Sequence, residues 1–123
     1  MKVDDLIVYN KLFNLAIEIH YLTLEFPKYE LYEIGSQLRR SSNSAPANLA
    51  EGFGNKYTKI YSISISRAQG EIRETVHHLK IAHRKSYLEK ERLNYFLDQY
   101  DECGRMLYSL NLSILKKKNK SDS

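Results

Sequence analysis

The stretch LNYFLDQYDECGRMLYSLNLSIL, residues 93–115, carries the most regular apolar spacing in the chain. Its core-type residues recur at alternating steps of three and four: Leu93, Phe96, Tyr100, Cys103, Leu107, Leu110 and Ile114. This heptad spacing keeps one face of a helix apolar along its length, as in a helix that packs in a bundle. The pattern predicts a helix over roughly 88–117, with Ser86 and Glu89 placed to cap its start.

Three further helices are predicted upstream of this stretch. The first spans roughly 4–25 and ends before Pro27, because the residue before a proline is pushed out of the α region. The second spans roughly 29–52, and Pro46 inside it predicts a kink or a local break. The third spans roughly 57–85. Connections this short force neighbouring helices to run antiparallel, so the predicted fold is all-α, an up-down-up-down antiparallel four-helix bundle.

The composition agrees with one small helical domain. The chain has 123 residues, of which 42% are hydrophobic and 28% charged, which is too apolar for a disordered segment. It contains 5 Gly and 2 Pro, and so few backbone breakers favour long helices over a strand-rich fold. We expect residues 1–117 to form the bundle and residues 118–123 to form a flexible basic tail.

Cysteine usage and the N-terminus predict a cytoplasmic protein. Cys103 is the single cysteine, so no internal disulfide can form, which suits a reducing compartment. Asp4 and Asp5 stand where the apolar stretch of a signal peptide would have to run. No apolar run approaches the length of about 20 residues that a membrane span needs, so we expect no membrane association.

The first predicted helix carries a second apolar stripe opposite its core stripe. The stripe consists of Leu6, Phe13, Ile17 and Leu24. A helix that is apolar on two faces is buried on both of them, and a large exposed apolar patch marks an interaction surface. We interpret the stripe as a subunit interface of a homo-oligomer. The alternative is that this helix packs more centrally within one bundle.

Several segments that resemble catalytic or metal sites are better explained as ordinary helix surface or core. GFGNKYT, residues 52–58, follows a helix instead of a strand, so it does not match a phosphate-binding loop. His77, His78 and His83 lack the spacing of three or four that places two metal ligands on one helix face. Cys103 occupies a core position with no base nominated beside it. We therefore predict no enzyme activity, no cofactor and no metal.

The outer face of the third helix carries the best candidate for a binding surface. This basic ridge consists of Arg73, His77, Lys80 and Arg84, at spacings of four, three and four. The formal net charge is +4, and a row of cations suits phosphate oxygens through charge-assisted bonds and counterion release. Further basic residues expected to contribute are Arg39, Arg40, Lys116, Lys117 and Lys118. The alternative is a solvated helix face, and oligomerisation favours nucleic acid because each copy repeats the ridge.

Residues 36–54, SQLRRSSNSAPANLAEGFG, carry a motif that resembles a known family. The family pattern pairs two arginines with a run that ends in Pro, Asn, Ala, Glu and Gly. The matching positions here are Arg39, Arg40, Pro46, Asn48, Ala50, Glu51 and Gly52. The chain thus resembles the bacterial four-helix-bundle proteins encoded in intervening sequences of the large ribosomal RNA gene. It is also similar to the accessory variability protein of diversity-generating retroelements.

The resemblance implies a four-helix fold, a ring-shaped homopentamer, a basic surface that engages nucleic acid, and no catalysis. For the retroelement members it also implies a reverse transcriptase as protein partner. Our first hypothesis is a non-enzymatic oligomer that binds RNA or DNA largely through the phosphate backbone. The alternative is a homo-oligomeric scaffold that docks a nucleic-acid enzyme. We expect a structural motif at Pro46, Asn48, Glu51 and Gly52. A structural role in place of ligand binding is also open for Arg39, Arg40, Asn48 and Glu51, because polar residues near a proline can bond freed backbone groups or bridge subunits.

Overall fold

The computed structural model consists of four α-helices and describes the backbone of residues 1–122 and the side chains of residues 1–118. The helices are α1 (Ile7–Thr23), α2 (Ile34–Gly52), α3 (Thr58–Arg84) and α4 (Lys90–Asp122). Short 3-10 helices at Val3–Asp5 and Lys28–Glu30 precede α1 and α2. Within the described backbone there is no strand, and the predicted all-α fold is confirmed.

Contacts between α1 and α4 show that neighbouring helices run antiparallel. Lys11, near the start of α1, forms an ion pair of 3.3 Å with Glu102, which lies several turns after the start of α4. Glu25, just after α1, instead pairs with Arg92 at the start of α4, at 3.0 Å. Short turns join α2 to α3 and α3 to α4. The predicted up-down-up-down arrangement is therefore correct.

The core contains the apolar stripes that the spacing predicted. Leu12, Ile19 and Leu22 of α1 are fully buried, and so are Tyr100 and Cys103 of α4. The other buried apolar residues of the four helices join them in one cluster. Helical periodicity therefore identified the inward faces, because a residue every three or four positions returns to the same side of a helix.

Small residues bring α2 and α3 close together. Gly52, the last residue of α2, is buried, and a Cβ added to it would overlap the Cβ and Oγ atoms of Ser64 in α3. Further along the same interface, the hydroxyl of Thr75 lies 2.7 Å from that of Ser41, and both residues are buried. Gly52 belongs to the family-type motif, and its lack of a side chain is required for this close approach of the two helices.

The structure differs from the predicted helices at several points. Helix α1 begins at Ile7 and α2 at Ile34, whereas the predicted starts were roughly residues 4 and 29. Helix α2 continues through Pro46 to Gly52, so the expected local break does not occur. The ring of Pro46 is buried, which offsets part of the cost of the missing N–H bond. Helix α4 also continues through residues 118–122, which were expected to form a tail. Ser123 lies outside the described residues, and the flexibility of this segment stays a prediction.

Candidate nucleic-acid interface

The basic ridge is exposed along α3. Arg73, His77, Lys80 and Arg84 all face solvent. At a rise of 1.5 Å per residue the ridge is about 16 Å long. Among the described residues, Arg73, Lys80 and Arg84 form no ion pair, although carboxylates pair with Arg40, Arg92 and Arg105 elsewhere. The ridge thus offers three cationic side chains that form no ion pair with the described residues.

A groove of about 880 Å³ runs between α3 and α4 beside the basic ridge. Its wall on α3 includes Arg73, His77 and Lys80. Apolar side chains line it below the rim: Ile72, Val76, Leu97 and the ring of Tyr100. Tyr108 of α4 lines the groove with 61% of its surface exposed. The α3–α4 groove therefore combines one cationic wall with apolar and aromatic surface.

The wall on α4 carries carboxylates. Asp101 pairs with Arg105 one turn later at 3.2 Å, and both line the groove. Asp98 is exposed, lines the groove and has no ion-pair partner among the described residues. The two walls differ in charge, so a phosphate is attracted to the α3 side and repelled from the region of Asp98.

Arg39 and Arg40, which were predicted to bind nucleic acid, have partners inside the chain. Arg39 donates to the Thr23 hydroxyl at 3.0 Å and to the Leu31 carbonyl at 2.6 Å, which ties α2 to the segment that follows α1. Arg40 pairs with Glu71 and Glu74 of α3. Its hydrogen bond to Glu74 lowers the pKa of that carboxyl and raises the pKa of Arg40. These two arginines therefore stabilise the α1–α2–α3 arrangement and add less to an anion site than the sequence suggested.

The lysines at 116–118 lie away from the basic ridge. The Ser62 hydroxyl of α3 donates to Asn111 of α4 at 2.7 Å, which fixes the relative position of these helices. Because the helices run antiparallel, residues that follow Asn111 lie toward the start of α3, whereas Arg84 ends it. Lys116, Lys117 and Lys118 are exposed there and do not extend the ridge.

The outer face of α1 is apolar and uncharged. Phe13, Ile17 and Leu24 are 48%, 46% and 56% exposed, and Tyr21 lies beside them at 63%. Leu6 was predicted to belong to this stripe, but it is half-buried and packs against the core, because it precedes the first turn of α1. What we call the α1 face consists of seven exposed residues with the half-buried Tyr9 and Ala16 beside them; the exposed residues are Asn10, Phe13, Asn14, Ile17, His20, Tyr21 and Leu24.

Both charged residues of α1 are turned away from the α1 face. Lys11 pairs with Glu102 of α4 at 3.3 Å, and Glu18 accepts a hydrogen bond from Tyr95 of α4 at 2.8 Å. Phe13 and Ile17 also line a second groove of about 550 Å³ between α1 and α2. Arg39 and Arg40 of α2 line the same groove, so the α1 face itself carries no Asp, Glu, Lys or Arg but borders two cationic side chains.

The residues of the family-type motif have local structural roles in α2. The Asn48 side-chain amide donates to the Ser44 carbonyl at 2.8 Å. Pro46 is buried, and Gly52 allows the close approach to Ser64. Glu51 is exposed and lines a cavity of about 400 Å³ at the α2–α3 turn. Asn48 thus bonds to the backbone, but its acceptor is the Ser44 carbonyl and not the carbonyl that Pro46 leaves without its helical N–H partner.

The remaining reactive side chains are occupied or buried. The His83 ring contacts the Leu88 carbonyl at 3.0 Å across the α3–α4 turn, and His78 lies 3.5 Å from Glu74. Burial raises the pKa of Cys103 to about 11, so its thiol is protonated at neutral pH. The described side chains hold no group of three or more His, Cys, Asp or Glu that could bind a metal. Over the same range, no helix is long and apolar enough to cross a membrane.

Sequence reasoning missed the α3–α4 groove and the aromatic side chain in it. A weak signal existed: Leu97, Gly104 and Tyr108 follow each other at steps of seven and four, beside the main heptad of α4. That second stripe is interrupted by Asp98 and Asp101, so it resembles a solvated surface until α3 is placed against it.

The fold and its surfaces define a class of protein, a small antiparallel four-helix bundle with a basic ridge on α3 and an outer face of α1 that carries no Asp, Glu, Lys or Arg. A family model described as 23S rRNA-intervening sequence protein matches residues 4–109, and the chain belongs to this family. A crystal structure of a protein of unknown function from the S23 ribosomal protein family of Bacteroides thetaiotaomicron is similar, with a TM-score of 0.74. It is 23% identical, and the match covers 85% of this chain and 98% of that one, which supports the fold alone. No curated protein matches the chain.

Proposed function

We propose that this protein is a non-enzymatic nucleic-acid-binding protein that contacts RNA or DNA through the phosphate backbone. The observation that carries the proposal is the basic ridge, where Arg73, Lys80 and Arg84 lie along one face of α3 and form no ion pair with the described residues. Glu71, Glu74 and Asp101 pair with Arg40 or Arg105, and Asp98 is the carboxylate of the adjacent groove that pairs with no cation among the described residues. The family model supports a connection with RNA through its name alone.

The ridge contacts phosphate and not particular bases in this proposal. At a rise of 1.5 Å per residue, Arg73 and Lys80 lie about 10.5 Å apart along the helix axis and Lys80 and Arg84 about 6 Å apart, so the row can contact more than one phosphate of a backbone. Such contacts carry no sequence information, so affinity is similar for different sequences. Binding then releases counterions and weakens as salt increases.

Fluorescence anisotropy of labelled RNA and DNA across a salt series tests this proposal. We expect the double charge reversal Arg73→Glu/Lys80→Glu to lower affinity at least about tenfold for every sequence, because charge-assisted contacts become repulsive. Arg67→Glu is the matched control. Arg67 is exposed on the same helix and unpaired among the described residues, but it is turned by about 120° from Arg73. Equal losses in both variants, or binding that does not respond to salt, would contradict a localised phosphate site.

We further propose that the α1 face mediates assembly of this protein into a homo-oligomer. The specific support is the lack of charge on that face, with Lys11 and Glu18 both engaged by α4. The subunit number expected from the family resemblance is five. In this arrangement each copy repeats the basic ridge, which strengthens weak phosphate contacts through avidity. The same face could instead dock a protein partner such as a nucleic-acid enzyme.

Light scattering separates these two uses of the α1 face. We expect Ile17→Lys to lower the molar mass toward that of one chain, because the new charge cannot be paired in an apolar contact. Ile63→Lys is the control, since Ile63 is exposed to a similar extent on α3, at 41% against 46%. A wild-type protein that is already a monomer would exclude self-assembly and leave the α1 face for a different protein.

A further inference from the structure

We infer that the α3–α4 groove holds the bases of a single-stranded nucleic acid, while the phosphates of the same strand lie on Arg73 and Lys80. This inference rests on the proposed function, because it specifies that the nucleic acid bound at the basic ridge is single-stranded. It adds a second contact, with the bases, and it names Tyr108 as the residue that stacks on them.

The opposite charges of the two walls orient the strand. Arg73 and Lys80 on the α3 wall have no ion pair among the described residues and attract phosphate. On the α4 wall, Asp98 repels phosphate but accepts hydrogen bonds from the amino groups on the edges of bases. A strand therefore fits with its backbone along α3 and its bases turned toward α4.

The apolar surface of the groove suits the flat faces of bases. Ile72, Val76 and Leu97 line its interior, and the exposed ring of Tyr108 stands on the α4 wall. Every base has an aromatic face, so stacking on tyrosine tolerates any sequence. Cationic grooves that are interleaved with aromatic side chains are typical of proteins that bind single strands.

The size of the groove excludes a duplex from this mode of binding. Its volume of about 880 Å³ is in the range of small-molecule pockets, about 300–1,000 Å³. A few unpaired bases can enter such a space, whereas the bases of a duplex are already stacked and paired inside the helix. A duplex could touch the basic ridge with its phosphates but could not reach Tyr108 with its bases.

Anisotropy with a labelled single strand of about 12 nucleotides and with the duplex of the same sequence tests the inference. We expect the single strand to bind at least about tenfold more tightly. Tyr108→Ala should weaken single-strand binding roughly 5- to 100-fold and leave duplex binding unchanged, because stacking on one base is lost. Tyr108→Phe keeps the ring and should bind within about twofold of the wild type. Tyr32→Ala is the control, since Tyr32 is 82% exposed and does not line the groove.

The outcomes separate this inference from the proposed function. If neither nucleic acid binds at low salt, the proposed function itself is wrong. If Arg73→Glu/Lys80→Glu abolishes binding but the duplex binds as well as the single strand and Tyr108→Ala has no effect, the phosphate site stands and the groove inference is overturned. A Tyr108→Ala variant that changes the molar mass but not the affinity would make the groove a subunit contact. Tyr108-dependent binding of an acidic helical peptide, without single-strand binding, would overturn the inference in favour of a protein ligand.

Discussion

Helix α3 contacts α2 on one side and α4 on the other, and the two contacts differ in kind. Toward α2 the backbones approach so closely that a Cβ on Gly52 would overlap Ser64. Toward α4 the helices leave a groove of about 880 Å³, and a Cβ on Gly104 would meet nothing within 4 Å. Glycine is therefore required at position 52, where α2 meets α3, whereas position 104 of α4 has room for a side chain.

This difference links the packing of α3 to its exposed surface. The α2 side positions the helix through small residues, a buried hydroxyl pair and the ion pairs of Arg40. On the α4 side, Arg73 and Lys80 form no ion pair with any side chain that the structure describes, and apolar atoms line the groove. A binding surface works best on a rigid support, and the close α2 contact provides that support for α3.

The largest expected effect is a loss of stability at the close contact between α2 and α3. Gly52→Ala should lower the free energy of unfolding by about 3 kcal/mol, because the added methyl group overlaps Ser64 and forces the helices apart. Urea unfolding followed by circular dichroism, at one protein concentration, measures this change. The double variant Gly52→Ala/Ser64→Gly should recover most of the loss. A Gly52→Ala protein as stable as the wild type would show that α2 and α3 are less close than described.

The next effect concerns the buried hydroxyl pair between α2 and α3. Thr75→Val keeps the shape of the side chain but leaves the Ser41 hydroxyl without Thr75 as a partner, which should cost about 1–3 kcal/mol. The same urea unfolding experiment measures it. Adding Ser41→Ala should restore part of the stability, because no buried hydroxyl then lacks a partner at this site. Additive losses in the double variant would argue against coupling between the two residues.

A smaller effect, a gain in stability, is expected at Gly104 beside the α3–α4 groove. Gly104→Ala should raise the free energy of unfolding by about 0.5–1 kcal/mol, because alanine restricts the unfolded chain and favours the interior of a helix. The space beside Gly104 accepts the methyl group. A rise in the thermal unfolding midpoint would confirm the contrast with Gly52. A decrease would mean that the groove is closed in solution or that another molecule occupies it.

The smallest effect is the contribution of Glu74 to acid stability. The hydrogen bond from Arg40 lowers the pKa of Glu74 below its ordinary value of 4.5. A lowered folded-state pKa stabilises the protein above the unfolded-state pKa, and this contribution is lost as pH falls through the folded-state value. We expect under about 1 kcal/mol, since the pair is partly exposed. Glu74→Gln should make thermal unfolding midpoints less sensitive to pH between about pH 5 and pH 3. If the pH dependence is unchanged in Glu74→Gln, the loss of stability in acid comes from other pairs, such as Glu25 with Arg92.

Much of the fold could be predicted because it depends on local periodicity. The stripes through Leu12 and Ile19 in α1 and through Tyr100 and Leu107 in α4 are buried as their spacing indicated. The basic ridge was found in the same way, as the positions opposite a core stripe. The ends of the helices were predicted less accurately than their faces. A break at Pro46 was one of the expected outcomes, but α2 continues through it, because burial of the proline ring in the bundle offsets part of the cost of the missing N–H bond.

Local spacing could not predict which charged side chains form ion pairs within the chain. Arg40 and Arg73 look alike in sequence, yet Arg40 meets two carboxylates of α3 and Arg73 meets none among the described residues. Glu18 and Lys11 likewise leave the α1 face uncharged only because α4 lies beside them. Which charges are left for a ligand is decided by residues that are distant along the chain.

The sequence by itself determined that four helices form, which faces point inward, and that α1 and α3 carry unusual outer faces. Each of these properties repeats every three or four residues and needs no knowledge of a neighbouring helix. Only the tertiary structure decided that Gly52 lies against Ser64, that Arg39 and Arg40 are engaged, and that an open groove borders the basic ridge. The physical reason is that these features depend on distances between helices, which are set by how side chains from separate parts of the chain fill the space between them.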